Sequence, residues 1–152
     1  MAPVIIRKIM KPVFHAVAST LVSGILYVMF KSWGMVIASF LSGIFIDIDH
    51  VIDYLRAGGV RCDRKEFSQF IREKEYWKTA SGHRKVNVLL HGWEWLIVLS
   101  ITAALTDWNP VVTGILIGFG HHMVLDVFNN RPASWAKTFL GYSLLWRWKN
   151  SP

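Results

Sequence analysis

Four apolar runs, each close to the length needed to cross a bilayer, constrain this chain more than any other feature. They cover approximately residues 13–30, 34–52, 86–105 and 111–128. About 20 apolar residues in a helix span a hydrocarbon core of about 30 Å. Runs of this length are too long for ordinary strands, and a helix satisfies its own backbone polar groups in lipid. The expectation is an all-α integral membrane bundle of about four transmembrane helices, forming a single membrane domain over residues 1–152. Lys31-Ser32-Trp33-Gly34 and Thr106-Asp107-Trp108-Asn109-Pro110 are short enough to turn the chain between neighbouring spans. The segment 133–150 mixes apolar residues with Lys137, Arg147 and Lys149 and reads as a C-terminal interfacial helix. Arg7 and Lys8 before the first run also suit a signal peptide. No small-x-small cleavage site with a polar region after it follows, so the run is kept as a span.

Mean hydropathy is only +0.33 because the charges are gathered between the runs. Nine Lys and Arg lie in the middle loop, 56–85, three in the N-terminal segment, four in the C-terminal tail and one, Lys31, in the first turn. With four spans, sixteen of the seventeen fall on the side that holds both termini and the loop. The positive-inside rule makes that side cytoplasmic, in the inner membrane, with Trp33 and Trp108 at the opposite interface. The net charge of +7 is then a topology signal and an attraction to anionic lipid. No motif interleaves the basic residues in the manner of a nucleic-acid binder, and none is expected as a partner. The single cysteine, Cys62, permits no internal disulfide and sits in a basic loop, where it is expected to stay reduced.

Ionisable groups inside spans are costly and point to function. Five of the ten acidic residues lie in or at the end of a span. His15 opens the first run, with Ser19 one turn further. The second ends in Asp47-Ile48-Asp49-His50, followed by Asp53. The third carries Asn87, His91 and Glu94, and the fourth His121, His122, Asp126 and Asn129. At about 100° per residue, Asn87, His91 and Glu94 would form a stripe about 60° wide, and His122, Asp126 and Asn129 repeat it. All four clusters lie at the same depth, toward the cytoplasmic end. Imidazole and carboxylate are the ligands of Zn²⁺, Mn²⁺ and Fe²⁺. The metal-ligand candidates are His15, Asp49, His50, Asp53, His91, His122 and Asp126; with Asp47 and Glu94 counted, carboxylates outnumber imidazoles, which suits two divalent ions bridged by Asp49. Asp47 and Glu94 are candidates for proton transfer or ligation. Ser19, Asn87, His121 and Asn129 would support the ligands, and Arg84 and Lys85 would hold an anionic headgroup. The bland alternative for any one His–Asp pair is a buried hydrogen bond locking two helices. That is harder to sustain for seven residues at one depth. A transporter would need polar groups through both halves of the membrane, and the outer halves of the runs offer little beyond Ser, Thr and Gly.

His15, Asp47-Ile48-Asp49-His50, His91 and Gly120-His121-His122-Met123-Val124-Leu125-Asp126 together resemble the prokaryotic membrane-bound metal-dependent hydrolases of the LexA-binding inner-membrane-associated type. The resemblance covers roughly residues 12–130. Members of that family carry His-Arg-Gly-x-Thr-His-Ser entering the third span. This chain has His83-Arg84 and, further on, His91-Gly92-Trp93-Glu94, so either histidine can be the counterpart. The family is distantly similar to zinc-dependent phospholipases C. The resemblance implies hydrolysis of a phosphoester, that of a lipid among the candidates, at the cytoplasmic membrane face. A structural or regulatory membrane protein with a metal site is the competing reading.

Overall fold

A computed structural model describes residues 12–56, 89–129 and 142–149, and all its regular elements are helices. They are α1 (Pro12–Phe30), α2 (Trp33–Phe45), α3 (Ile48–Arg56), α4 (Trp93–Leu105), α5 (Pro110–Asn129) and α6 (Leu144–Lys149). The side chains of Asp53 and Asn129 lie outside the described set. So do Cys62, His83, Arg84, Lys85 and Asn87, with the rest of the basic loop.

Three helical stretches are long and apolar enough to cross a membrane: Val13–Phe30, Trp33–Ile52 and Pro110–Phe128. The fourth apolar helix, Trp93–Leu105, has 13 residues, about 20 Å at 1.5 Å per residue. It starts later than the apolar run predicts. Leu89 and Leu90 form a turn and His91 and Gly92 are non-helical, with Gly92 extended at the N-cap of α4. The Leu90 N–H is drawn to the Asp49 carboxylate instead of a helical carbonyl. His91 therefore sits on a loop, and the helical stripe from Asn87 through His91 to Glu94 does not form as expected.

The predicted turns appear where polar and left-handed positions allow them. Lys31 takes a positive φ of 52° and donates its N–H to the Tyr27 carbonyl, closing α1. The Ser32 hydroxyl then caps α2 by accepting from Met35 N. At the other turn Asp107 and Trp108 are both left-handed, and the Asn109 side chain accepts from Val111 N, with Pro110 opening α5.

Packing centres on α2 against α5, with α1 on α2 and α4 on α5. Small residues permit the α2–α5 approach. A Cβ at Gly114 or Gly118 would collide with the carbonyl of Met35 or Ser39 respectively. The Ser42 hydroxyl crosses the same seam to the Ile115 carbonyl. Burial is inverted relative to a water-soluble bundle. The buried side chains include His15, Ser19, Ser23, Ser39, Asp49, His91, His122 and Asp126, whereas Val13, Leu21, Val28, Ile97 and Leu105 face outward, the last 81% exposed. Lipid, and not water, is the solvent such an exterior fits.

Candidate metal centre

The site begins with a break in a helix. In an unbroken α2, the Gly43 carbonyl would accept from Asp47 N. Here Asp47 N turns to the Ile44 carbonyl at 3.4 Å, and the Gly43 oxygen accepts instead from Nδ1 of His122 at 2.8 Å. An inserted side chain is one of the recognised causes of such a break. It has two effects. Asp47 is swung toward α5, and His122 is fixed with its proton on Nδ1 and the lone pair of Nε2 directed inward.

His91 is held in the same way by a different acceptor. Its Nδ1 donates to Asp49 Oδ2 at 3.0 Å, and that oxygen also accepts Leu90 N–H at 2.9 Å. The pair is the carboxylate–histidine arrangement that orients metal-binding imidazoles. Asp49 thus stands behind His91. Its Oδ2 is committed to two donors, while its Oδ1 is buried without a hydrogen-bond partner among the described residues, 3.9 Å from His50 Nδ1.

The inward-facing atoms lie close together. His91 Nε2 is 3.5 Å from Asp47 Oδ1 and 3.3 Å from Asp126 Oδ2. His122 Nε2 is 3.4 Å from the same Asp47 oxygen and 3.7 Å from the same Asp126 oxygen. His15 Nε2 approaches the other Asp126 oxygen at 3.3 Å, and His50 Nε2 lies 3.6 Å from Asp47 Oδ1. The His15 ring stacks on that of His122, with centroids 4.0 Å apart. His122 Nε2 is buried without a hydrogen-bond partner among the described residues.

A lone pair facing two carboxylate oxygens in a dry interior is repulsive. Two things relieve it: protons on the imidazoles, or a cation shared by nitrogens and oxygens. The spacing admits both, and three of the four separations lie within the range for ligands of one cation. Neighbouring ligands about 2.0–2.2 Å from one ion stand about 2.8–3.6 Å apart for angles between octahedral and tetrahedral. Three overlapping ligand groups meet the geometric requirement: His15 with Asp47 and His122, Asp47 with His50 and His91, and His91 with His122 and Asp126. Of the seven expected ligands, His15, His50, His91, His122 and Asp126 fall in these groups, Asp49 orients His91, and the Asp53 side chain lies outside the described residues; Asp47, expected in proton transfer or ligation, joins the groups. The cluster is nearly closed. Asp47 has 30% of its side chain exposed and His50 19%, against 0–7% for His15, Asp49, His91, His122 and Asp126.

No protein-family model matches the chain, no curated protein matches its sequence, and no solved structure matches its fold.

The remaining expected residues fall beside the cluster. Ser19 and His121 bond to each other, Oγ to Nε2 at 3.1 Å, while His121 Nδ1 donates to the Ile117 carbonyl one turn back. They join α1 to α5, Ser19 one turn beyond His15 and His121 immediately before His122. Glu94 is engaged by the C-terminal segment. Both its oxygens accept from the C-terminal segment: Oε1 from the Ser143 hydroxyl at 2.6 Å and Leu145 N at 3.2 Å, and Oε2 from Leu144 N at 3.0 Å. Sequence reasoning missed three parts of the site: the Gly43 carbonyl, the Leu90 N–H, and Tyr142, whose ring lies 6.4 Å from that of His91. Backbone groups carry no signature in the residue pattern. The one available cue was that Gly43 precedes Asp47 by four residues.

Proposed function

We propose that this protein is a membrane-embedded, metal-dependent hydrolase whose substrate is a phosphoester, drawn from the lipid headgroup region. The observation that supports it most is the ring of His91, Asp47, His122 and Asp126, with neighbouring nitrogen and oxygen atoms 3.3–3.7 Å apart. Ligand groups that share Asp47 suit two ions better than one. Zn²⁺ and Mn²⁺ fit the mixed nitrogen and oxygen donors. A divalent ion there would polarise a phosphoryl oxygen and make water a nucleophile near neutral pH.

The protein's own residues supply the rest. The His122 bond to Gly43 and the His91 bond to Asp49 keep both Nε2 atoms aimed at one point, so little reorganisation is needed on binding. Asp47, the most exposed member, stands at the mouth, where a substrate arrives first and where a carboxylate can take up the proton of the attacking water. The family resemblance points to the same chemistry. Placement in an inner membrane, opening to the cytoplasm, follows from the distribution of Lys and Arg.

Near-complete burial of His15, His122 and Asp126 favours a second reading, a closed metal site that only staples helices together. One experiment separates the two. Protein purified without chelator is assayed for metal content and for cleavage of phosphate mono- and diesters and of phospholipid. The hydrolase reading expects bound metal, with turnover that is lost on removing the metal with chelator, restored on adding it back, and lost in Asp47→Asn. Metal without any such turnover leaves the staple, and metal-free protein unresponsive to added Zn²⁺ or Mn²⁺ defeats both.

A further inference from the structure

Glu94 caps the C-terminal segment with an unusual concentration of contacts. Its carboxylate receives three donors from Ser143–Leu145. In return Trp93 N, the first amide of α4, donates to the Tyr142 carbonyl at 3.0 Å. Ser143 Oγ also accepts Trp146 N at 3.2 Å, so one hydroxyl serves both Glu94 and the start of α6. Two helix N-termini, each with amides that lack an intrahelical acceptor, thus satisfy one another. Gly92 makes the approach close: a Cβ there would stand 2.6 Å from Leu144 Cγ.

This junction adjoins a ligand candidate that no helix holds. His91 lies two residues before Trp93, in the non-helical stretch that leads into α4. Its Nδ1 is fixed by Asp49, but the backbone on its C-terminal side is fixed by Trp93 and Glu94 gripping residues 142–145. Tyr142 completes the enclosure. Its ring stacks over the His91 imidazole at a 30° interplanar angle and meets Trp93 edge-on at 6.2 Å. It also packs on the cluster of Ile46, Phe119 and Met123 beside the site.

We infer that Glu94 is a positioning residue of the metal centre: it latches the C-terminal segment, with Tyr142, onto the loop that presents His91. The inference rests on the metal reading above and gives Glu94 a part in it other than proton transfer. Two functions of the segment follow. It sets the direction of His91 Nε2, and it covers the His91 imidazole with the Tyr142 ring. Supporting groups outside the ligand shell affect metal affinity by about tenfold to a hundredfold.

The test uses the full chain in detergent, titrated with Co²⁺ and followed by the visible absorption of the bound ion. Glu94→Ala is expected to weaken Co²⁺ binding about tenfold or more and to change the absorption spectrum at saturation. Ser143→Ala, a milder change that keeps the carboxylate and its two amide donors, should move both in the same direction by less. A general loss of stability would lower the folded fraction and leave the saturated spectrum unaltered. Leu105→Ala, at an outward-facing position, serves as that control. If Glu94→Ala does not fold, Ser143→Ala decides. Unchanged affinity and spectrum in the variants that fold overturn the latch alone. No Co²⁺ band in the unsubstituted protein overturns the metal reading, and the latch with it.

Discussion

His122 and Asp49 show how differently two residues of one cluster can act. His122 is fully buried, bonds to Gly43 through one nitrogen and faces Asp47 and Asp126 with the other. Asp49 accepts from Nδ1 of His91 and lies 3.9 Å from Nδ1 of His50. His122→Ala is expected to abolish tight metal binding, because it removes a ligand and leaves the Gly43 carbonyl without its donor. Asp49→Asn keeps the shape but replaces an acceptor pair with an amide. It should lower metal affinity by about tenfold to a hundredfold without eliminating it. Isothermal titration with Zn²⁺ measures both, and equal losses would contradict the distinction. The sequence made the membership of this cluster legible, since residue types and depth suffice for that. It did not separate the ligand Asp47 from the orienting Asp49. Both lie in one Asp-x-Asp pair, and only the helix break decides which of them turns inward.

Among the elements, α5 is the one every other long helix leans on. Its glycines explain why it can. Gly118 lies against the Ser39 carbonyl and Ser42, groups that belong to backbone or to a constrained short side chain. Gly118→Ala should therefore cost about 1–3 kcal/mol of stability, as overpacking does. Gly24, on α1, has nothing within 4 Å of its missing Cβ, and Gly24→Ala should stay within about 0.5 kcal/mol of the starting protein. Thermal unfolding in detergent compares the two, and equal shifts would mean that the α2–α5 seam is looser than described. The helices themselves followed from the apolar runs, and the turns at Lys31 and Asn109 from their residues. The late start of α4 did not, because Val86 to Leu90 is as apolar as the helix that follows. A side chain forty residues away, Asp49, takes the Leu90 amide and ends the pattern.

At the scale of the molecule, the outward apolar surface and the gathered polar interior agree with the charge pattern of the sequence. All the described site residues cluster at one end of the bundle, the end at which the basic segments attach. With four spans, sixteen of the seventeen Lys and Arg would fall at that end, each worth about 1 kcal/mol near an anionic leaflet, and the expectation to test is that this end faces the cytoplasm. With Cys62 replaced, a cysteine at Ser32 or Asn109 should react with a membrane-impermeant reagent in intact cells, and one at Ser68 only after lysis. Labelling at position 68 from outside would reverse the orientation.

The scatter of the cluster along the chain has a consequence for how the bundle comes together. Separate helices in lipid feel no hydrophobic force toward one another, and their relative heights are set by whatever contacts they find. Here His15 meets Asp126, His122 meets the Gly43 carbonyl, and His91 meets Asp49. Each pairing joins stretches that are distant in sequence. A slip of α1, α2 or α5 by a single turn, about 5.4 Å, would strand several of these groups in an apolar interior at once. The polar cluster therefore serves as a registration mark: correct vertical alignment of the helices and completion of the site are the same event.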